Sequence, residues 1–207
     1  MVVKRIFNVW SSCLNKAQSF DGVPMLLLRL YLAPIFIQVG LNKLNHLEHT
    51  AVWFGESLGM PFPYLMAVLA GSAEFFGGIL LLIGLMTRLA SIPLLVTMFI
   101  AAWTVHWENG WPAIADSSSW LADGTILTNE RVMSAGEKLS RVREVLAEHT
   151  HYDWITSSGN IGIINNGIEF AATYIVMLLC LIFYGGGRYT SIDYWLRKNI
   201  EKRLALD

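Results

Sequence analysis

The sequence predicts an all-α integral membrane protein: a four-helix bundle with an amphipathic helical outer loop and interfacial helices at both termini. Three observations predict it. Of 207 residues, 54% are hydrophobic and only 15% charged, whereas soluble domains carry about 25% charged residues. Mean hydropathy is +0.46. The apolar residues collect in four runs, near 23–44, 64–86, 89–107 and 163–184, each close to the length needed to cross a bilayer as a helix. The chain therefore reads as a single membrane domain over 1–207, with residues 108–162 as one long outer loop.

Residues 1–20 place Val3, Ile6, Phe7, Trp10, Cys13, Leu14 and Ala17 near one helical face and Lys4, Arg5 and Lys16 elsewhere, the pattern of a helix lying in the membrane interface. Asp21-Gly22-Val23-Pro24 breaks that pattern and opens the first span, which contains Pro34. With no apolar stretch and small-residue cleavage site ahead of it, this span is expected to serve as its own targeting signal. The connector 45–62 is too polar to cross, and Trp53 and Phe54 are expected at the interface. The second span is rich in small residues, Ala67, Ala70, Gly71, Ser72, Ala73, Gly77 and Gly78, which let helices approach closely in a bilayer. Thr87-Arg88 is expected to make the tight turn into the third span.

Within the outer loop, Val132, Ala135, Leu139, Val142 and Leu146 recur at helical spacing, predicting an amphipathic helix over 128–149 with Thr128 or Asn129 as N-cap. The fourth span opens at Asn165-Asn166, carries Glu169 early and ends at Gly185-Gly186-Gly187. A basic amphipathic tail follows. The first segment, the Thr87-Arg88 turn and the tail hold Lys4, Arg5, Lys16, Arg88, Arg188, Arg197, Lys198, Lys202 and Arg203. The outer loop sets Arg131, Lys138, Arg141 and Arg143 against eight acids. The excess of Lys and Arg is expected to place both termini in the cytoplasm.

Several functions are disfavoured. A net charge of −1 implies no general attraction to nucleic acid, and the two cysteines, Cys13 and Cys180, form no CxxC pair. There is no zinc-protease motif, nucleophile elbow, P-loop or dinucleotide fingerprint. What stands out is charge inside the spans. An ionisable group in a bilayer faces a partner or a cavity rather than lipid. Arg29 and Lys43, fourteen residues apart, fall about 40° apart around a helix and about 21 Å apart along it. We expect Arg29 to reach toward Glu74, and Lys43, His106 and Glu169 to converge under the outer loops. Such a group could bind a polar headgroup such as a quinone, relay protons, or only fix helix register. Separately, His46, His49, His149 and His151 fall on the predicted outer side. Imidazoles suit copper or zinc, though exposed loop histidines often bind nothing.

The runs LRLYLAPIFIQVGLNKL, GSAEFFGGILLLIGLMTRLASIPLL and GGGRYTSIDYWL together resemble the DoxX family of small four-span bacterial membrane proteins. The outer segments VHWENGWPAIAD, HYDW and NNGIEFAATY are similar to those of its HvfX branch, encoded beside genes for copper-associated modified peptides. The matching positions are Arg29, Lys43, Glu74, Arg88 and Asp193, with His106, Trp107, Asn166 and Glu169 from the branch. Glu108 adjoins this set. The resemblance implies an accessory role in the maturation, handling or export of a copper-related modified peptide, with that peptide or its biosynthetic enzymes as partner. The alternatives are a quinone-linked oxidoreductase subunit and a non-catalytic structural partner. Copper or a quinone is the candidate cofactor, and an oligomer is compatible with each role.

Overall fold

A computed structural model describes residues 20–205, together with Lys4, Phe7, Trp10 and Ser11. The predicted N-terminal interfacial helix otherwise lies outside the described residues. The described secondary structure is helical, with two isolated β-bridges, Ile114–Ile164 and Asp123–Thr128, in place of strands. Residues divide into two compact units, 1–98 with 174–207, and 99–173.

Among the described residues, three helices are long and apolar enough to cross a membrane: Gly22–Asn45, Pro63–Ile83 and Thr87–Asn109. We label the first two α1 (Gly22–Asn45) and α3 (Pro63–Ile83); the short α2 (Leu47–Val52) lies between them, and the regular part of the third is α4 (Thr87–Ala101). The third helix changes pitch near its end, through a π turn at Ala102–His106 and a 3-10 turn at Trp107–Asn109.

In the first unit, α1 and α3 run antiparallel and nearly touch. A Cβ on Gly40 would lie 2.3 Å from Phe75 N, and one on Gly78 would lie 2.8 Å from Ile37 Cγ1. Small residues thus set the backbone separation, because packing rather than water exclusion drives helix association in lipid. Leu32, Ala33, Phe36, Leu81, Leu94, Leu178 and Leu181 form the apolar core of this unit.

The turn between α3 and α4 is not at Thr87-Arg88. Gly84 supplies the left-handed conformation (φ 69°) that ends α3, and Thr87 already begins α4. Both oxygens of Asp193 accept hydrogen bonds from Met86 N (2.6 Å) and Thr87 N (2.8 Å), satisfying amide donors that a helix start leaves free. The connector also departs from expectation. Phe54 is buried against Ala51 and Ala67 rather than set at an interface, because a π turn at Trp53–Ser57 rotates it inward.

In the second unit, Asn129 is the N-cap, its Oδ1 accepting from Val132 N at 3.3 Å. The predicted helix breaks at Ser134 into α5 (Glu130–Met133) and α6 (Ala135–His149). Val132 and Ala135 are buried, whereas Val142 and Val145 are exposed. A one-turn α7 (Tyr152–Ile155) follows. Nearby turns are closed by aspartates: the Ser118 hydroxyl holds the Asp116 carboxyl below its usual range, and Thr125 does the same for Asp123.

The fourth apolar run is only partly helical. Its helix, α8, spans Glu169–Tyr184, about 24 Å at 1.5 Å per residue, so it is shorter than the other three. Residues 163–168 instead pair with 110–115 without regular structure, Ala115 N donating to Ile163 O and Gly167 N to Pro112 O. The tail forms α9 (Ile192–Leu204), capped by Ser191 Oγ accepting from Tyr194 N.

Because the obstacle at Gly40 is backbone, we expect Gly40→Ala to cost about 1–3 kcal/mol or more, as overpacking does. Gly162, which has open space around it, should accept alanine within about 0.5 kcal/mol. Thermal unfolding of the two variants in detergent makes the comparison.

Candidate functional site

The charged residues of the spans divide into two separate arrangements in the first unit. Arg29 is almost wholly buried and is surrounded by carbonyl oxygens. Its Nε donates to Leu81 O (2.7 Å), Nη2 to Leu82 O (3.0 Å), and Nη1 to Gly186 O (2.6 Å) and Thr190 O (3.2 Å). The last carbonyls of a helix have no amide partner one turn on, and Arg29 supplies donors for α3. The fit requires Gly84, since a Cβ there would stand 2.7 Å from the guanidinium.

Arg29 therefore does not reach Glu74, contrary to the sequence expectation. Register explains this. Glu74 lies level with Gly40 of α1, eleven residues and roughly 16 Å along the helix from Arg29. Lys43, less than one turn from Gly40, is the cation within range. Lys43 Nζ donates to both Oε1 and Oε2 of Glu74 at 2.6 Å. The Glu74 side chain is 1% exposed and that of Lys43 21%, so the pair sits at the edge of the buried interior. Lys43 thus has its partner in α3.

His106 and Glu169 belong to a hydrogen-bonded frame within the second unit. His106 Nδ1–H donates to Asn166 O (2.9 Å), and Ala113 N donates to Glu169 Oε2 (2.9 Å). Asn166 holds a left-handed conformation (φ 59°), which asparagine tolerates better than most residues. The hub of this frame is Asn109. Its carbonyl accepts from Asn129 Nδ2 (2.8 Å) and Asn165 Nδ2 (2.7 Å), and its Oδ1 from Arg131 Nη1 (2.7 Å). Its Nδ2 donates to Asn166 O at 3.1 Å. Buried Asn165 also donates to Pro112 O at 2.7 Å. Sequence reasoning missed Asn109 and the role of Asn165. The available signal was the Asn109-Gly110 pair, a turn dipeptide, inside what looked like loop.

The remaining candidates are more exposed. Trp107 stacks near Trp103, ring centroids 5.0 Å apart, and Glu108 faces outward. Arg88 is exposed beside Gly185. His46 Nδ1–H donates to Asn42 O (3.0 Å), and His149 Nε2 lies 4.0 Å from Glu148 Oε2. His49 and His151 are exposed. Among the described residues no group of three or more His, Cys, Asp or Glu is placed to hold a metal ion.

Breaking a buried ion pair costs more than replacing it whole, because one charge is left without compensation. We expect Glu74→Leu to lower the thermal midpoint in detergent more than the double variant Lys43→Met/Glu74→Leu does. Arg29→Met should be among the most damaging single substitutions. It leaves carbonyls without donors, at about 1–3 kcal/mol for each unsatisfied group.

Comparison with known proteins places this arrangement. An uncharacterized membrane protein of Mycobacterium tuberculosis is 33% identical over 79 residues, covering 38% of this chain and 48% of the relative. A Bacillus subtilis protein named "Putative oxidoreductase CatD" is 36% identical over 88 residues, 42% of this chain and 63% of the relative. An uncharacterized protein of Haemophilus influenzae is 30% identical over 98 residues, 44% of this chain and 62% of the relative. The chain thus spans about half to just under two thirds of the length of these relatives. No solved structure matches it. The matched family model covers α1, α3 and most of the third helix, so the Arg29 and Lys43–Glu74 arrangements sit largely inside it. Residues 24–107 of the chain match the family model described as DoxX.

Proposed function

We propose that the chain is a four-span accessory protein of the bacterial inner membrane, acting in the maturation, handling or export of a copper-related modified peptide. In this reading α8 is the fourth crossing, and both termini are cytoplasmic. The charge distribution supports that orientation: Arg88, Arg188, Arg197, Lys198, Lys202 and Arg203 gather at the proposed inner side.

The observation that carries an accessory role is the way protein groups engage the span charges. Arg29 is bonded to four carbonyls, and Lys43 and Glu74 are bonded to each other. Recognition then falls to the second unit, which exposes Trp107, Trp120 and Trp154. Aromatic side chains on a fixed frame are good anchors for a peptide or a protein partner. Any copper in this reading travels with the peptide as cargo. A quinone-linked oxidoreductase subunit has weaker support, resting on the printed name of one partial relative. A purely structural subunit would make the exposed tryptophans dispensable for partner capture.

The test is photo-crosslinking from positions 120 and 154 in membranes of cells making the modified peptide. We expect capture of the peptide or of one of its biosynthetic enzymes. Trp154→Ala should lower the yield about tenfold, the scale of an anchor residue. Equal capture by the alanine variants would refute the assignment. Reporter fusions within 108–162 and after Leu204 check the orientation; a cytoplasmic loop would reverse it.

A further inference from the structure

Where the turn into α4 meets the glycine loop after α8, the first unit opens a cavity of about 400 Å³. The residues that decide its chemistry are Arg88, Leu89, Tyr184, Asp193, Tyr194 and Arg197. The charges are unequally engaged. Asp193 spends both carboxylate oxygens on the amides of Met86 and Thr87. Arg197 has only a long contact to Glu201 (3.7 Å), with both side chains more than two thirds exposed; such a pair is weak. Arg88 is exposed and forms no ion pair or hydrogen bond among the described residues. The balance is cationic, with one guanidinium uncommitted.

The cavity also sits at a boundary. Arg88 lies in the first turn of α4 and Tyr184 ends α8, both apolar helices. Beside the charged groups, Met86, Leu89 and Tyr184 are 50%, 57% and 73% exposed. Apolar walls next to a free arginine at the ends of apolar helices match a molecule with a charged head and hydrocarbon tails. Guanidinium binds phosphate through two parallel donors, and tyrosine accommodates an apolar body with a polar tip. Basic pockets at the ends of spanning helices take anionic headgroups.

We propose that this cavity binds the phosphate headgroup of an anionic glycerophospholipid, with Arg88 as the main donor and Arg197 flanking it. The acyl chains run past Leu89 and Tyr184. Arg88 is thereby a lipid-binding residue, distinct from Arg29, whose three nitrogens each donate to backbone carbonyls.

The experiment uses the full chain in phosphatidylcholine nanodiscs, titrated with phosphatidylglycerol and read by native mass spectrometry. Phosphatidylglycerol should be retained in preference to phosphatidylcholine, and less so as ionic strength rises. Arg88→Gln should weaken retention about fivefold, with Arg88→Lys intermediate and Arg197→Gln smaller in effect. Unchanged thermal midpoints in pure phosphatidylcholine establish that the variants fold. If Arg88→Gln unfolds, Arg197→Gln carries the comparison. Retention of phosphatidylglycerol by a folded variant at the wild-type level overturns the proposal. So does full competition by inorganic phosphate at equal concentration, which would assign the site to free phosphate.

Discussion

A guanidinium enclosed by carbonyl oxygens holds the inner structure of this protein together. In hydrocarbon, backbone groups without partners are costly, and helix ends are where they occur. Arg29 is the donor that resolves this at the end of α3 while also binding the glycine loop after α8. One side chain thereby ties three segments that are far apart in the sequence. Gly84 makes the geometry possible by ending α3 in a left-handed turn and leaving space for the guanidinium. Asp193 serves the start of α4 as Arg29 serves the end of α3. An anion at helix amides and a cation at helix carbonyls each complement the helix dipole.

The close contact of α1 with α3 has a chemical consequence. With Gly40, Gly71 and Gly78 at the contact, the two backbones approach until a single methyl group would clash. That approach sets the register, and register selects Lys43 rather than Arg29 as the partner of Glu74. The sequence-level distances along the helix were sound, but pairing by depth alone requires knowing which residues face each other. The ion pair is therefore a product of small-residue packing as well as of charge.

In the second unit, order comes from amide side chains more than from apolar burial. Asn109, Asn129 and Asn165 bond to the backbone of a segment without regular structure. Such a segment must find partners for its peptide groups outside a helix or sheet ladder. Pairing of 110–115 with 163–168 provides further ones. This explains why α8 begins at Glu169: the residues ahead of it are engaged in that pairing, and Glu169 itself accepts from Ala113 N.

Much was determined by the sequence alone. Long apolar runs can only become helices in a bilayer, because each must satisfy its own backbone, so α1, α3 and the third helix were legible from composition. The Asn129 cap was legible too, since a side-chain acceptor ahead of an amphipathic stretch is a local signal. Other features depended on contacts between residues distant in the chain. The Phe54 rotation, the break at Ser134, the late start of α8 and the Asn109 hub have little or no periodic signature. The partner of each buried charge was decided only by tertiary structure. A charge in an apolar run announces that a partner is needed, but its identity follows from which backbones lie alongside at hydrogen-bonding distance.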